Sequence, residues 1–223
     1  MKKYLVAPMI GTLLLTACGG ETEKTVSEVK EEALKQSDQK SVNNEKDSPE
    51  ENEDGNTIFT VPGQKADVEI GTLELLKIKN VNEFVDILPI KVEIESIKLF
   101  KLTNASEDFI ENVEWMAEDT VDETAYYIQI LYNGTNLEEK NIDWMDLNKV
   151  VLSNGQQIDV TSKNFMSNDA DSHYYGKVQQ DYGAAFIVKD SNINKVKLIF
   201  HGVNDADTYE TIAEPQQVEY TLE

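Results

Sequence analysis

Three kinds of side chain in this protein could do chemistry: a single cysteine, two histidines and a surplus of carboxylates. A divalent cation would use the last two together. The run Asn168-Asp169-Ala170-Asp171-Ser172 recurs almost intact as Asn204-Asp205-Ala206-Asp207-Thr208. His173 directly follows the first copy, and His201 lies just before the second. Alternating carboxylates beside imidazole suit Zn²⁺ or Mn²⁺ better than Ca²⁺, which prefers oxygen alone. Asn, Asp, Ser and Thr are equally the residues of ordinary turns, and the spacing matches no established metal loop. No metal site is assigned on this basis. Whether Asp169, Asp171, His173, His201, Asp205 and Asp207 converge is a question for the fold.

Catalysis finds less support. A nucleophilic enzyme needs an activated Ser or Cys beside a base. The sequence contains no G-x-S-x-G, P-loop, H-E-x-x-H or C-x-x-C, and nothing selects one pair from its 42 acidic residues. A non-catalytic protein without a cofactor is expected. Trp115, Trp144, Tyr174, Tyr175 and Tyr182 would either stack on a sugar or peptide or fill a core, and the core is the commoner use.

Cys18 is more specific. Met1 to Thr16 opens with Lys2 and Lys3 and continues through an apolar run ending in Leu13-Leu14-Leu15, the layout of a secretory signal peptide. That run falls short of the roughly 20 apolar residues needed to span a bilayer. Leu15-Thr16-Ala17-Cys18-Gly19 closes it and resembles a bacterial lipobox, in which the Cys accepts diacylglycerol before cleavage. The resemblance implies a lipidated N-terminus at Cys18, after a signal peptide over 1–17. One acyl chain holds a membrane marginally and two hold it stably. The formal charge is −22 and all 20 basic residues are Lys, so an anionic surface would repel the chain and lipid must do the holding. The same balance makes nucleic acid a poor partner, since phosphate recognition leaves a basic footprint.

Positioning falls to two regions. Residues 18–56 form the first; from 19 onward they lack Phe, Trp and Tyr and are built from Glu, Lys, Ser, Asn, Gln and Asp, so a disordered acidic spacer is expected. A thin apolar stripe at Val26, Val29 and Ala33 allows transient helicity within it.

Residues 57–223 have the alternation of a folded β-domain. Val61-Pro62-Gly63 signals a turn. Ile90, Val92 and Ile94 alternate with Lys91, Glu93 and Glu95, and the parity shifts at Ile97 and Leu99, predicting a bulge or a break near Ser96. Ser106 predicts a helix start, with Phe109, Val113 and Met116 on one face. The alternation at Tyr126–Leu131 predicts a strand ended by Asn133-Gly134. Asn154-Gly155, between Val150–Leu152 and Gln157–Val160, predicts a type I′ hairpin. Further strands are expected at Tyr174–Val178, Ala184–Lys189, Lys195–Phe200 and Gln217–Leu222.

Roughly eight short strands with turns between them favour a sandwich. The run YYIQILYNGTNLEEKNIDWMDLNKVVLSNGQQIDV, with the later GAAFIVKDSNINKVKLIF, resembles the Ig-like domain of small Gram-positive surface lipoproteins of unknown function. That resemblance implies a mainly β, Ig-like antiparallel β-sandwich with one short helix, and it carries over no active site. The expectation is a non-catalytic lipoprotein held on the extracellular face of a Gram-positive-type cell membrane through the lipid on Cys18. There it would present the sandwich to a protein or cell-envelope component. The alternative is a lipoprotein that binds a small ligand or a divalent metal.

Overall fold

The computed structural model describes residues 48–53, 55–166 and 170–223. Cys18, the signal peptide, most of the expected spacer and Asp169 lie outside the described residues. The elements run β1 (Glu50–Glu51), β2 (Thr57–Ile58), β3 (Lys65–Val68), β4 (Gly71–Ile87), β5 (Ile90–Thr103), α1 (Glu107–Ala117) and β6 (Thr124–Asn136). They continue with β7 (Ile142–Trp144), β8 (Leu147–Leu152), β9 (Gln157–Asp159), α2 (Val160–Lys163) and β10 (His173–Tyr174). The last five are β11 (Gln179–Val188), β12 (Lys195–Phe200), β13 (Val203–Asp205), β14 (Thr211–Ala213) and β15 (Gln216–Thr221).

These strands form an antiparallel, mainly β sandwich. One layer is a five-stranded sheet in the order β11-β6-β5-β4-β3; facing it are two four-stranded sheets, β15-β12-β8-β9 and β10-β7-β13-β14. One continuous core joins all three. It takes Ile90, Val92, Ile94, Ile97, Leu99, Ile128 and Ile130 from the large sheet, and Trp144, Val150, Val196, Leu198, Phe200 and Val203 from the others. Burial of each such side chain stabilises the fold by about 1.5–3 kcal/mol relative to exposure. The parity change in β5 is a real irregularity, because its register against β6 shifts between Ile94 and Ser96. The extra residue keeps Ile94 and Ile97 on the same buried face despite their odd spacing.

The outer face of the five-stranded sheet holds a second core, built from Leu73, Leu75, Phe100, Leu102, Ala125 and Tyr127. Helix α1 covers part of it. Ser106 accepts a hydrogen bond from the Phe109 amide at 3.3 Å, and Glu107 and Asp108 complement the positive end of the helix. Phe109, Val113 and Ala117 are buried at four-residue spacing, so Ala117, rather than Met116, completes the inward stripe. The helix ends at Glu118 in the left-handed conformation, and Lys163 from α2 donates to the carbonyls of Ala117 and Glu118 at 2.7 and 3.0 Å.

Two turn expectations are corrected. Asn133-Gly134 does not end a strand: β6 runs through both residues to Asn136, paired with β5 on one side and β11 on the other. Gly134 is there for space, since a Cβ on it would come within 2.5 Å of Trp144 Cζ3 and 2.6 Å of the Tyr174 hydroxyl. The β8–β9 hairpin forms as expected, but through a three-residue loop, Ser153-Asn154-Gly155, with the Leu152 amide donating to the Gln156 carbonyl at 2.9 Å. Only Gly155 takes positive φ (84°), so the connection is not a type I′ turn. The strand expected at Tyr174–Val178 shortens to His173–Tyr174, whereas β12 has the bounds read from its alternation. Glu50–Glu51, placed in the spacer by composition, pairs with Thr57–Ile58, and the Gln64 side chain donates to the Ser48 carbonyl at 3.1 Å.

Candidate functional site

The repeated acidic words come near one another through β7, which pairs with β10 on one edge and β13 on the other. Asp143 stands opposite both His173 and Asn204. His173 Nε2 lies 3.3 Å from Asp143 Oδ1 without completing a hydrogen bond, and Nδ1 lies 3.5 Å from Asp171 Oδ1. Asp171 also accepts the His173 amide at 3.1 Å, closing a local turn. Asp205 does similar local work, accepting the amides of Asp207 and Thr208 at 2.9 and 2.8 Å and pairing with Lys140. The bond from Lys140, seconded by those amides, holds the Asp205 carboxyl down at about 2. His201 is half-buried, and its backbone takes a bond from the Trp144 indole at 3.1 Å and gives one to the Asp146 carbonyl at 2.9 Å. Burial lowers its pKa, favouring the neutral ring. Among the described residues no group of three or more His, Cys, Asp or Glu side chains could hold a metal ion. Asp171 and Asp205 therefore act as turn residues.

The aromatic candidates separate by burial. Trp144, Tyr174 and Tyr182 are interior, whereas Trp115 and Tyr175 are 82% and 69% exposed. The Tyr174 and Tyr182 hydroxyls are 2.7 Å apart, and Tyr182 stacks on Tyr132 with ring centroids separated by 5.2 Å. Tyr132 donates to Asp146 Oδ1 at 2.9 Å. Burial lifts the Asp146 carboxyl to about 6 despite that bond and a second from the Leu147 amide. This is an internal polar network that fixes β7 and β8 against the large sheet.

Two surface features remain. At one end of the five-stranded sheet, Leu88, Leu137 and Val178 are all exposed. Backbone bonds from the Leu137 amide to the Pro89 carbonyl and from the Asn136 amide to the Val178 carbonyl, both 3.0 Å, hold their three segments side by side. Exposed Phe84, with Lys91 Nζ 3.7 Å from its ring centroid, lies on the same β4–β5 arm.

The second feature is a groove of about 680 Å³ on the outer face, lined in part by residues 55–59, with Phe59 packed edge-on against Phe100. Phe59, Phe100, Tyr127, Leu131 and Met166 supply apolar walls, with Lys98 and Gln129 between them. A further hollow of about 240 Å³ shares Tyr127, Gln129 and Met166 and extends toward Phe109 and Phe165. Sequence reading missed this groove because the alternation of β5 was assigned to one buried face. The available signal was Lys98-x-Phe100-x-Leu102, an apolar parity opposite to that of Ile97 and Leu99.

No protein-family model, curated protein or solved structure matches the chain.

Proposed function

We propose that this protein is a lipid-anchored, non-catalytic binding module. Cys18 carries diacylglycerol on the extracellular face of a Gram-positive-type cell membrane, and the sandwich meets a protein or cell-envelope component. The observation that carries the binding reading is the cluster of exposed Leu88, Leu137 and Val178 at one end of the large sheet. Apolar residues exposed next to one another, rather than scattered singly, favour an interaction surface. The anchor reading rests on Leu15-Thr16-Ala17-Cys18-Gly19 after an apolar leader. No helix among the described residues is long and apolar enough to cross a membrane. A docking partner is expected to be neutral or basic, given a net charge of −22.

Two measurements test this reading. Cys18→Ala is expected to release the protein from the membrane fraction, and retention of the variant would refute the lipid anchor. Capture from envelope extracts by the wild-type chain is expected to be lost in a Leu88→Ser, Leu137→Ser double variant. An identical catch from both would remove the apolar end from the account.

A further inference from the structure

The outer groove contains a charge that the fold does not use. Lys98 sits on the floor, half-buried on the central strand β5, and among the described residues no carboxylate pairs with it. Its side chain is partly desolvated, which lowers its pKa and leaves it in want of an anion. Directly across the ladder, in register on β6, is Gln129. Among the described residues the Gln129 amide nitrogen has only the Met166 sulfur as acceptor, at 3.8 Å, and thioether sulfur is a weak acceptor. Two underused donors thus stand side by side, one same-face pair along the ladder from Phe100 and Tyr127, whose rings stack at 5.1 Å. Small-molecule sites typically combine apolar walls with a few convergent polar groups, in volumes of about 300–1,000 Å³.

We propose that this groove binds an amphipathic monocarboxylate, its two oxygens on Lys98 and Gln129 and its apolar body along Phe59, Phe100, Tyr127 and Met166. The charge pattern limits the ligand further. Asp67 and Glu69 are exposed at the mouth, with Asp67 engaged by the Thr72 hydroxyl at 2.7 Å. They repel a polyanion such as a phosphate ester, whereas one charge carried past them on an apolar body reaches Lys98. The 240 Å³ hollow toward Phe109 and Phe165 gives a longer tail room to extend. This proposal is independent of the anchor and of the apolar end.

The test is titration calorimetry of the full-length chain carrying Cys18→Ala with octanoate, octan-1-ol and octyltrimethylammonium, which share a tail and differ in head group. Octanoate is expected to bind saturably, at least about tenfold more tightly than the alcohol, with the cation weakest. Lys98→Met is expected to abolish the preference for octanoate over octanol while leaving the melting temperature near that of the wild type. Octanoate affinity is also expected to fall as alkaline pH neutralises Lys98. The wild-type comparison and the shifts of the Gln129 side-chain amide and Met166 methyl resonances need no variant to fold. Equal binding of all three head groups, preference for the cation, no saturable binding, or shifts outside the groove would each overturn the proposal.

Discussion

Asp146 offers the sharpest test of the internal polar network. Its backbone has positive φ (51°), a conformation that Asn also tolerates, so Asp146→Asn preserves shape and keeps an oxygen for Tyr132 and the Leu147 amide. What it removes is the titration. Burial raises the carboxyl from 3.8 to about 6, so the folded protein binds this proton more tightly than the unfolded chain does. A group shifted upward in this way weakens the fold as pH rises through the window from 3.8 to 6 and strengthens it as pH falls back. Across pH 4.5 to 7.5 the linkage amounts to ~2 kcal/mol, most of the full shift at about 1.4 kcal/mol per pKa unit. The Asn variant has no such dependence. Urea unfolding followed by far-ultraviolet circular dichroism at both pH values gives the comparison, and the difference between the two proteins isolates Asp146 from the other carboxylates. On going from pH 4.5 to 7.5, the variant is expected to gain ~2 kcal/mol relative to the wild type. Parallel stability curves, or a relative loss, would show that Asp146 is not desolvated as argued. Tyr132→Phe supplies an internal control. Deleting the donor that favours the carboxylate is expected to move the wild-type transition to higher pH.

Gly134→Ala is expected to destabilise the fold by about 3 kcal/mol, measured by urea midpoint, because its Cβ has no space beside Trp144 and Tyr174. Asn136 is fully buried, gives hydrogen bonds to the Lys140 and Gly176 carbonyls, and accepts one from the Glu138 amide. Asn136→Ala is expected to cost about 3 kcal/mol in the same assay, and a loss under 1 kcal/mol would mean that water replaces those partners. Ser106→Ala is expected to cost ~1 kcal/mol and to raise amide exchange in the first turn of α1, with Ser106→Asp restoring both.

What could be read from sequence was whatever a single buried face determines. The parity break around Ser96, the capped start of α1 and the bounds of β12 each follow from local alternation or a capping side chain. The errors share a physical cause in tertiary contact. Asn133-Gly134 has the composition of a turn, but Gly134 is needed because Trp144 and Tyr174, distant in sequence, press against its backbone. Tyr126 and Tyr127 are adjacent and face opposite layers, one against the inner core and the other in the outer one. A sheet buried on both faces loses the simple alternation of one with a wet side. For the same reason nothing in the local pattern singles out Lys98. Its place in a groove depends on residues 55–59, distant in sequence, which no pattern within β5 encodes. Among the described residues the acidic words supply turn contacts, through Asp171 and Asp205, because turn chemistry and oxygen ligation draw on the same side chains.

The division of the two tryptophans between interior and surface gives this protein an optical consequence. Trp144 has no exposure, whereas Trp115 projects from the solvent side of α1 at 82%. Their emission should therefore separate, with a blue, unquenchable component from the core and a red component accessible to acrylamide. With acrylamide present, the remaining light reports the state of the sandwich interior, while the quenched fraction reports whether anything has come to rest on the helix. One unlabelled sample thus distinguishes unfolding from occupancy, and in Trp115→Phe only the core component should remain.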